Sequence, residues 1–191
     1  MSPARKLVQA TIPDAQLVAA VAAGDLTGLA TLFDRYSADV RRFAARLGIG
    51  AGELDDVVQE TFLDLLGASA RFEPAAPSAR PWIFGLTTMI VRRRRRTFAR
   101  ALARVQAWMS EPNDRVVRTP AQDFELGVDV ARAAAALEKL APRKRETFVL
   151  VVLEEMSCAD AAIALDVPVA TVWSRLHYAR AELQAHLGAS E

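Results

Sequence analysis

Apolar residues recur at intervals of three and four along most of this chain, and this spacing constrains its fold more than any other feature. Between Asp25 and Gly48 this pattern is followed by Leu26, Leu29, Phe33, Tyr36, Val40 and Phe43. Such a stripe places one side of an α-helix against a core. Hydrophobic residues make up 52% of the chain, many of them alanine, and aromatic residues only 7%. This composition favours packed helices over a β-sandwich or barrel.

More helices are predicted on both sides of this segment. Asp14 is expected to cap a helix that stops at Gly24, and residues 53–66 form another. After a loop with three prolines (67–81), Ser78 is expected to cap a helix that tolerates Pro81 in its first turn. The buried stripe predicted for that helix consists of Trp82, Ile83, Leu86 and Ile90.

The helical spacing is lost from about Trp108 to Phe124 and then returns. In the second half, one apolar stripe is formed by Val130, Ala134, Leu137 and Leu140, and the last by Val172, Leu176, Ala179, Leu183 and Leu187. Between them, Ser157 is expected to cap a short helix that ends at Leu165. The sequence therefore predicts an all-α chain with an N-terminal tail (1–13), a helical domain (14–106), a flexible linker (107–128) and a second helical domain (129–191).

Charge is distributed unevenly, although the formal net charge of the whole chain is only +1. Residues 53–66 contain five acidic and no basic side chains. Residues 92–118 contain nine arginines and two acidic side chains, a local charge of +7. The acidic helix has the pattern of a solvated face, and it also suits docking against a basic partner helix.

Five consecutive arginines, Arg92 to Arg96, continue the helix that carries the stripe of Trp82. Like charges at four-residue spacing cost about 0.2–0.5 kcal/mol per pair, and no acidic residue lies near the run in the sequence. The run is therefore expected either to meet an anionic partner or to lie at a wet surface. A nuclear localisation signal is disfavoured because the run lies on a helix with a packed face and not in a free tail. Arginines that continue to Arg104 favour a nucleic-acid surface over a solvated run.

The segment SCADAAIALDVPVATVWSRLHYARAEL (157–183) has the anatomy of a helix-turn-helix. A short helix with Ala162 and Leu165 buried leads through a tight turn to a longer helix, which in such motifs enters the major groove of DNA. Residues opposite or beside its buried stripe suit phosphate and base-edge contacts, and they are Thr171, Trp173, Ser174, Arg175, His177 and Tyr178. An ordinary helical hairpin in a bundle is the alternative.

Catalytic, metal and cofactor sites are not predicted. His177 and His186 have no ligand-like spacing with cysteine or carboxylates, and no glycine-rich phosphate loop is present. Cys158, the single cysteine, lacks a histidine placed to activate it and fits a reducing cytoplasm. Without a signal-peptide pattern or an apolar stretch of about 18 residues, neither export nor membrane insertion is expected, and the predicted localisation is cytoplasmic.

Three segments in this order resemble one protein family: DDVVQETFLDLL, PWIFGLTTMIVRRRRR and LEKLAPRKRETFVLVVLEEMSCADAAIALDVPVATVWSRLHYARAEL. Over residues 14–106 and 129–187 the chain resembles the extracytoplasmic-function (ECF) class of bacterial RNA polymerase sigma factors. The resemblance implies a non-enzymatic initiation factor with a region-2 and a region-4 domain. Its implied partners are core RNA polymerase, double-stranded and melted promoter DNA, and an anti-sigma factor.

The resemblance also implies roles for individual residues. Core polymerase would dock on Asp55, Asp56, Gln59, Glu60 and Phe62. The minus-ten promoter element would meet Trp82, Thr88, Met89, Arg92, Arg93, Arg95 and Arg96. The minus-thirty-five element would meet the six recognition-helix residues that begin with Thr171.

Departures from the family pattern affect the promoter sequence that would be read. Thr88 and Met89 stand where the family often has arginine and asparagine, and Trp173 and Tyr178 stand where it often has arginine. Arginine forms two hydrogen bonds with guanine, and such a pair contributes about 1–3 kcal/mol of discrimination against other bases. The promoter sequence that this chain reads therefore does not follow from that of its relatives.

Two other functions fit parts of the sequence. A stand-alone helix-turn-helix regulator with an N-terminal sensing or dimerisation domain would not need the acidic helix at 53–66. A nucleic-acid-processing enzyme would use the arginines to hold its substrate, but it would need a metal or nucleophile site that the sequence does not indicate.

Overall fold

The computed structural model describes residues 12–72, 78–109 and 128–188, with side chains as far as Arg100 in the second range and from Arg132 to Leu187 in the third. The eight helices within these ranges are α1 (Asp14–Ala22), α2 (Leu26–Arg46), α3 (Leu54–Ala68), α4 (Arg80–Met109), α5 (Val128–Lys139), α6 (Pro142–Phe148), α7 (Cys158–Leu165) and α8 (Val169–Gly188). Short 3₁₀ turns (Ala51–Glu53 and Ser69–Arg71) flank α3, and a π-helical turn (Val149–Leu153) extends α6. The predicted all-α class is confirmed.

Residues 1–11 of the predicted N-terminal tail and residues 110–127 of the predicted linker lie outside the described residues. Helix α4 runs to Met109 and α5 begins at Val128. The side chains of Arg104 and Val130, for which the spacing predicts roles, are likewise not described. Within the described ranges, no helix combines the length and apolarity needed to cross a bilayer.

Local sequence signals place most helix ends. Asp25 accepts a hydrogen bond from the Thr27 amide at 2.8 Å, and Ser157 accepts one from the Asp160 amide at 3.0 Å. Ser78 accepts one from the Arg80 amide at 3.1 Å, at the start of α4. The turns after α1 and α2 contain glycines with positive φ, +89° at Gly24 and +86° at Gly48.

The buried face of α2 differs from the predicted stripe. Tyr36, Val40 and Phe43 are buried as expected, but Leu32 is buried in place of Phe33, which is 42% exposed. The reason is the position of α1, which lies so close that a Cβ on Gly28 would be 2.7 Å from the Leu17 carbonyl oxygen. In α5, Ala134 is exposed and Ala136 is buried, because α5 turns that side towards Ala179 and Leu183 of α8.

One apolar core extends from Leu17 in α1 to Val172 in α8. Phe84 of α4 stacks on Phe43 of α2 with 4.6 Å between ring centroids. Helix α4 buries the predicted Ile83, Leu86 and Ile90, and it also buries residues on a second side: Phe84, Thr87, Thr88 and Val91. Phe84 and Thr87 of this side contact Phe43 of α2 and Thr61 of α3, and α7 of the C-terminal half also packs against α4.

Asp14 does not cap α1, contrary to the expectation from sequence. It is the first residue of the helix, after Pro13, and its carboxylate points inward with 5% of the residue exposed. The Ala79 amide donates to it at 2.7 Å and the Tyr36 hydroxyl at 2.5 Å, and Arg35 pairs with it. Asp14 therefore joins α1, α2 and the start of α4.

We expect Asp14→Ala to destabilise the fold by about 2–4 kcal/mol, because it removes charge-assisted hydrogen bonds and leaves the buried Ala79 amide unpaired. Urea denaturation measures this change. Gln16→Ala, on the exposed side of the same helix, is the control and should change the free energy of unfolding by less than about 0.5 kcal/mol. Equal effects of the two substitutions would contradict the role of Asp14.

Tyr36 makes the stability sensitive to alkaline pH. Burial, with the hydrogen bond to Asp14, raises the pKa of Tyr36 to about 12 from its ordinary value of 10.0. Because the folded pKa is the higher one, this stabilisation is complete below pH 10 and is lost as the pH rises towards 12. We expect the free energy of unfolding of the wild type to fall more steeply in this window than that of Tyr36→Phe, measured by urea titration at each pH. Parallel pH profiles would refute this.

Candidate nucleic-acid interface

The five consecutive arginines of α4 point in several directions and have different partners. Arg92 makes a bidentate pair with Glu146 of α6, at 2.9 and 2.6 Å. Arg93 and Arg94 both pair with Glu60 of α3, and Arg95 donates to the Leu47 carbonyl. Arg96 is exposed and has no ion pair within the described part of the chain. Acids that are absent from the neighbouring sequence are therefore supplied by tertiary packing, which brings Glu60 and Glu146 to the run.

The acidic side of α3 is divided between exposed and paired groups. Asp55, Asp56 and Gln59 are exposed, although Asp55 pairs with Arg41. Glu60 is half-buried; burial opposes its ionisation, but hydrogen bonds from Arg94 and Arg93 outweigh this and lower its pKa. The exposed part of this side remains available to a basic partner in the described conformation.

Phe62, predicted to contact such a partner, is only 4% exposed. Its ring packs against that of Phe33, with 4.9 Å between centroids. Leu63, its neighbour, is 58% exposed. Phe33 and Leu63 therefore form the apolar surface beside the acidic residues, with Phe62 beneath it. Sequence spacing assigned Phe33 to the core and indicated no role for Leu63, which lies off the apolar stripe.

The predicted base-reading residues of α4 also differ in exposure. Trp82 is half-buried and lies at a tilted angle to Phe72, with 5.1 Å between ring centroids. Thr88 is 1% exposed, and its hydroxyl donates to the Phe84 carbonyl at 2.8 Å. Met89 is 54% exposed. In this conformation, Met89 is presented to a ligand and Thr88 is not.

The predicted helix-turn-helix is present as α7, a tight turn and α8. Asp166 ends α7 in the left-handed conformation (φ 52°, ψ 57°), which Asp tolerates better than most residues. This turn lets Val172, Leu176 and Ala179 of α8 pack inward. The predicted geometry of the motif is confirmed.

Helix α8 presents most of its predicted contact residues to solvent. Trp173 and Tyr178 are 59% and 58% exposed, and Ser174 and His177 are exposed as well. Thr171 is half-buried, as is Arg175, whose pKa burial lowers with the help of the nearby Arg143. The Lys144 Nζ lies 5.7 Å from the centroid of the Tyr178 ring and pairs with Glu182 of α8.

Metal or nucleophile chemistry is not indicated by the side chains that the structure describes. No three His, Cys, Asp or Glu residues among them converge on a possible metal position. Cys158 is a half-buried free thiol packed beside the core. The molecule thus presents two charged or aromatic helical faces, on α4 and α8, and an acidic one on α3.

These features define a class: an all-α protein with a basic helix in one half and a helix-turn-helix in the other. Family models agree with the two halves, since "Sigma-70 region 2" matches residues 32–105 and "Sigma-70, region 4" matches residues 131–183. The chain is 34% identical to the RNA polymerase sigma factor CnrH of Cupriavidus metallidurans, over 92% of this chain and 95% of that one. It is 32% identical to the ECF RNA polymerase sigma factor SigC of Mycobacterium tuberculosis, over 92% and 94% of the two chains.

Solved structures show the same architecture. CnrH in complex with the cytosolic domain of CnrY matches with a TM-score of 0.68 and 30% identity, over 93% of this chain and 99% of that one. The sigma factor RpoE of Bartonella quintana, solved with the anti-sigma factor NepR, shares the fold with a TM-score of 0.63. The chain belongs to the ECF class of RNA polymerase sigma factors and is a transcription initiation factor. A stand-alone regulator and a nucleic-acid-processing enzyme are therefore set aside.

The exposure of the arginines predicts which of them contribute to DNA binding. Removing one phosphate contact should reduce the slope of log K against log salt by about 0.9. We expect the double variant Arg93→Gln/Arg96→Gln to reduce the slope of promoter-complex formation by about 1 to 2. Lys139→Gln, an exposed cation on α5, should leave the slope unchanged. If the double variant leaves the slope of log K against log salt unchanged, these arginines do not contact phosphates and are simply solvated.

Proposed function

We propose that the three faces divide the work of promoter recognition between them. Helix α3 binds core RNA polymerase, α4 meets the minus-ten element, and α8 enters the major groove of the minus-thirty-five element. The supporting observation is the arrangement of exposed groups: acids on α3, arginines and Met89 on α4, and aromatic and polar side chains on α8. The chain acts in the cytoplasm and contributes binding energy without catalysis of its own.

The polymerase contact on α3 combines charge with a small apolar surface. Asp55, Asp56 and Gln59 provide acidic and amide groups that steer a basic helix of the polymerase into place. Phe33 and Leu63 provide apolar area beside them. Phe62 acts by supporting Phe33, since the two rings are in contact.

The minus-ten element meets α4 where Trp82, Met89 and the arginines follow one another along the helix. Arg93 and Arg96 are exposed and reach phosphates without rearrangement of the fold, although Arg93 must first leave Glu60. Arg92 and Arg95 serve DNA only after they leave Glu146 and Leu47. Thr88 supports the helix from its buried side.

The minus-thirty-five element is read by α8 with an unusual set of side chains. Trp173 and Tyr178 offer large exposed rings, which suit stacking and contact with thymine methyl groups. His177 lies edge-on to Tyr178, 5.5 Å between centroids, and restricts its ring. Thr171, Ser174 and Arg175 lie beside them and serve phosphate contacts.

An anti-sigma factor is the further partner that we propose. CnrH and the Bartonella quintana RpoE were both solved with a second protein bound. This chain matches CnrH over nearly its whole length. The exposed apolar side chains of α7 and α8, Ile163 and Trp173 among them, give such a partner apolar area to cover.

The decisive experiment measures core polymerase binding and promoter-dependent transcription with the purified chain. We expect Asp56→Arg to weaken core binding at least about tenfold, because a like-charge contact at an interface costs more than about 1.4 kcal/mol. Glu138→Arg makes the same charge change at an exposed position of α5 and should leave core affinity unchanged. If Asp56→Arg binds core as tightly as the wild type does, α3 is not the docking face.

A further inference from the structure

The exposed side of α8 carries small residues between two aromatic rings. Trp173 and Tyr178 are 59% and 58% exposed. At 3.6 residues per turn they lie about 140° apart around the helix, and the directions between them are taken by Ala170, Ser174 and Ala181, all exposed. At 1.5 Å per residue they lie about 7.5 Å apart along the axis, which corresponds to about two base-pair steps of 3.4 Å. The two rings therefore face different base pairs of a duplex that lies along α8.

Trp173 forms one wall of a surface cavity of about 330 Å³. The cavity is lined by Trp173, Leu176, His177, Arg180, Ala181 and Gln184. Its apolar members are the indole ring, Leu176 and Ala181, and Leu176 is only 2% exposed. A water molecule occupies about 30 Å³ in the liquid. A methyl group, which is of similar size, therefore fits beside the indole together with the edge of a base.

Tyr178 is restricted by its neighbours before any DNA is present. His177 lies edge-on to it, with 5.5 Å between ring centroids and 72° between the ring planes. The Lys144 Nζ lies 5.7 Å from the Tyr178 ring centroid and also pairs with Glu182, one turn further along α8. Because a restricted ring loses less freedom on binding, a contact with it contributes more of its energy to affinity.

The polar groups of this side are poorly placed to read a purine. The Ser174 hydroxyl donates to a carbonyl of its own helix at 3.0 Å, and Arg175 is half-buried. His177 offers one hydrogen bond to a base edge, not the pair that distinguishes guanine or adenine. Arg180 and Gln184 lie about two and three turns beyond Trp173, whereas a recognition helix contacts base edges with its N-terminal residues. A guanine opposite the rings would therefore lose water without gaining two hydrogen bonds.

A methyl group at C5 of a pyrimidine suits the two rings. Thymine presents such a group in the major groove and unmodified cytosine does not. 5-Methylcytosine carries the same methyl group at the same atom and differs from thymine at position 4, where it has an amino group instead of a carbonyl. The indole and phenol faces contact the methyl group without a bond to position 4, and the Tyr178 hydroxyl both donates and accepts. The rings therefore accept either base.

We propose that Trp173 and Tyr178 read C5-methyl groups of pyrimidines in the minus-thirty-five element. The chain then selects thymine at two positions, and methylation of cytosine at C5 creates a site of similar affinity. Transcription from its promoters is therefore sensitive to cytosine methylation. The inference rests on the proposed function, in which α8 enters the major groove.

The first measurement uses the full-length chain bound to core polymerase. Duplexes are selected from a random pool, and the selected minus-thirty-five element is made again with thymine, uracil, 5-methylcytosine or cytosine at each selected thymine, opposite the matching purine. Uracil is thymine without its methyl group, and cytosine is 5-methylcytosine without it. We expect the methylated base of each pair to bind about fourfold more tightly at two positions, equivalent to about 0.8 kcal/mol per methyl group, by fluorescence anisotropy.

Ring variants assign the methyl contacts to residues. Trp173→Ala and Tyr178→Ala should each abolish the fourfold ratio at one position and keep it at the other, with unchanged circular dichroism because both rings are exposed. Lys144→Gln should lower the ratio at the Tyr178 position alone, since it frees that ring. Phe98→Ala is the matched control: it removes a similarly exposed ring (61%) from α4 and should keep both ratios. An effect of uracil on duplex shape would persist in the ring variants, so it is distinguished from a methyl contact.

The outcomes separate this proposal from the proposed function. Ratios near one throughout a selected element would overturn methyl reading and leave the proposed function intact, and ratios that survive both ring substitutions would refute the assignment to Trp173 and Tyr178. If the chain fails to bind core polymerase, the proposed function fails. Filter retention of the free chain on two random duplex pools, one made with thymine and one with uracil, then decides. Stronger retention of the thymine pool that the double variant Trp173→Ala/Tyr178→Ala loses supports methyl reading, and equal retention overturns it.

Discussion

Burial of the Glu154 carboxylate is the interaction on which the arrangement of the whole chain depends. An ionised carboxylate removed from water without partners loses several kcal/mol, and a buried pair is favourable only when its remaining hydrogen-bonding groups are satisfied. Glu154 meets this condition through Arg42, Arg46 and Arg80, which come from two helices of the other half. The acid therefore joins the C-terminal half to α2 and α4, and α7 approaches Gly85 closely in the same arrangement.

The arginine run serves the fold through ion pairs and hydrogen bonds, and in the proposed function it also serves DNA binding. Arg92 is paired with Glu146 and Arg95 with the Leu47 carbonyl, so these two stabilise the contact between neighbouring elements. Arg93 and Arg94 share Glu60 with the acidic face of α3. Only Arg93 of these two is exposed, and an ion pair at the surface contributes little to stability, so in the proposed function Arg93 can exchange Glu60 for a phosphate.

Local sequence information was sufficient for the helices and for most of their ends. Asp25, Ser78 and Ser157 cap helices through bonds to amides within the next few residues, so no distant contact is needed to predict them. The prediction for Asp14 was wrong because its partners Tyr36 and Ala79 lie far along the chain. Phe33 was expected in the core and is exposed, whereas Phe62 was expected at the partner surface and is buried beneath it. Helical periodicity locates the buried side of a helix only to within about one residue, so it does not decide between such neighbours.

The sequence by itself determined the helical class, the helix-turn-helix and the presence of acidic and basic faces, because each of these depends on spacing within a short segment. It also determined the family, through the order of three such segments along the chain. Only the tertiary structure decided which charges are available. Glu60 and Glu146 reach the arginine run from 33 and 54 residues away, and Glu154 reaches Arg42 from 112 residues away. Ion pairs between distant segments depend on how helices pack, and helix periodicity contains no information about which acid will face which arginine.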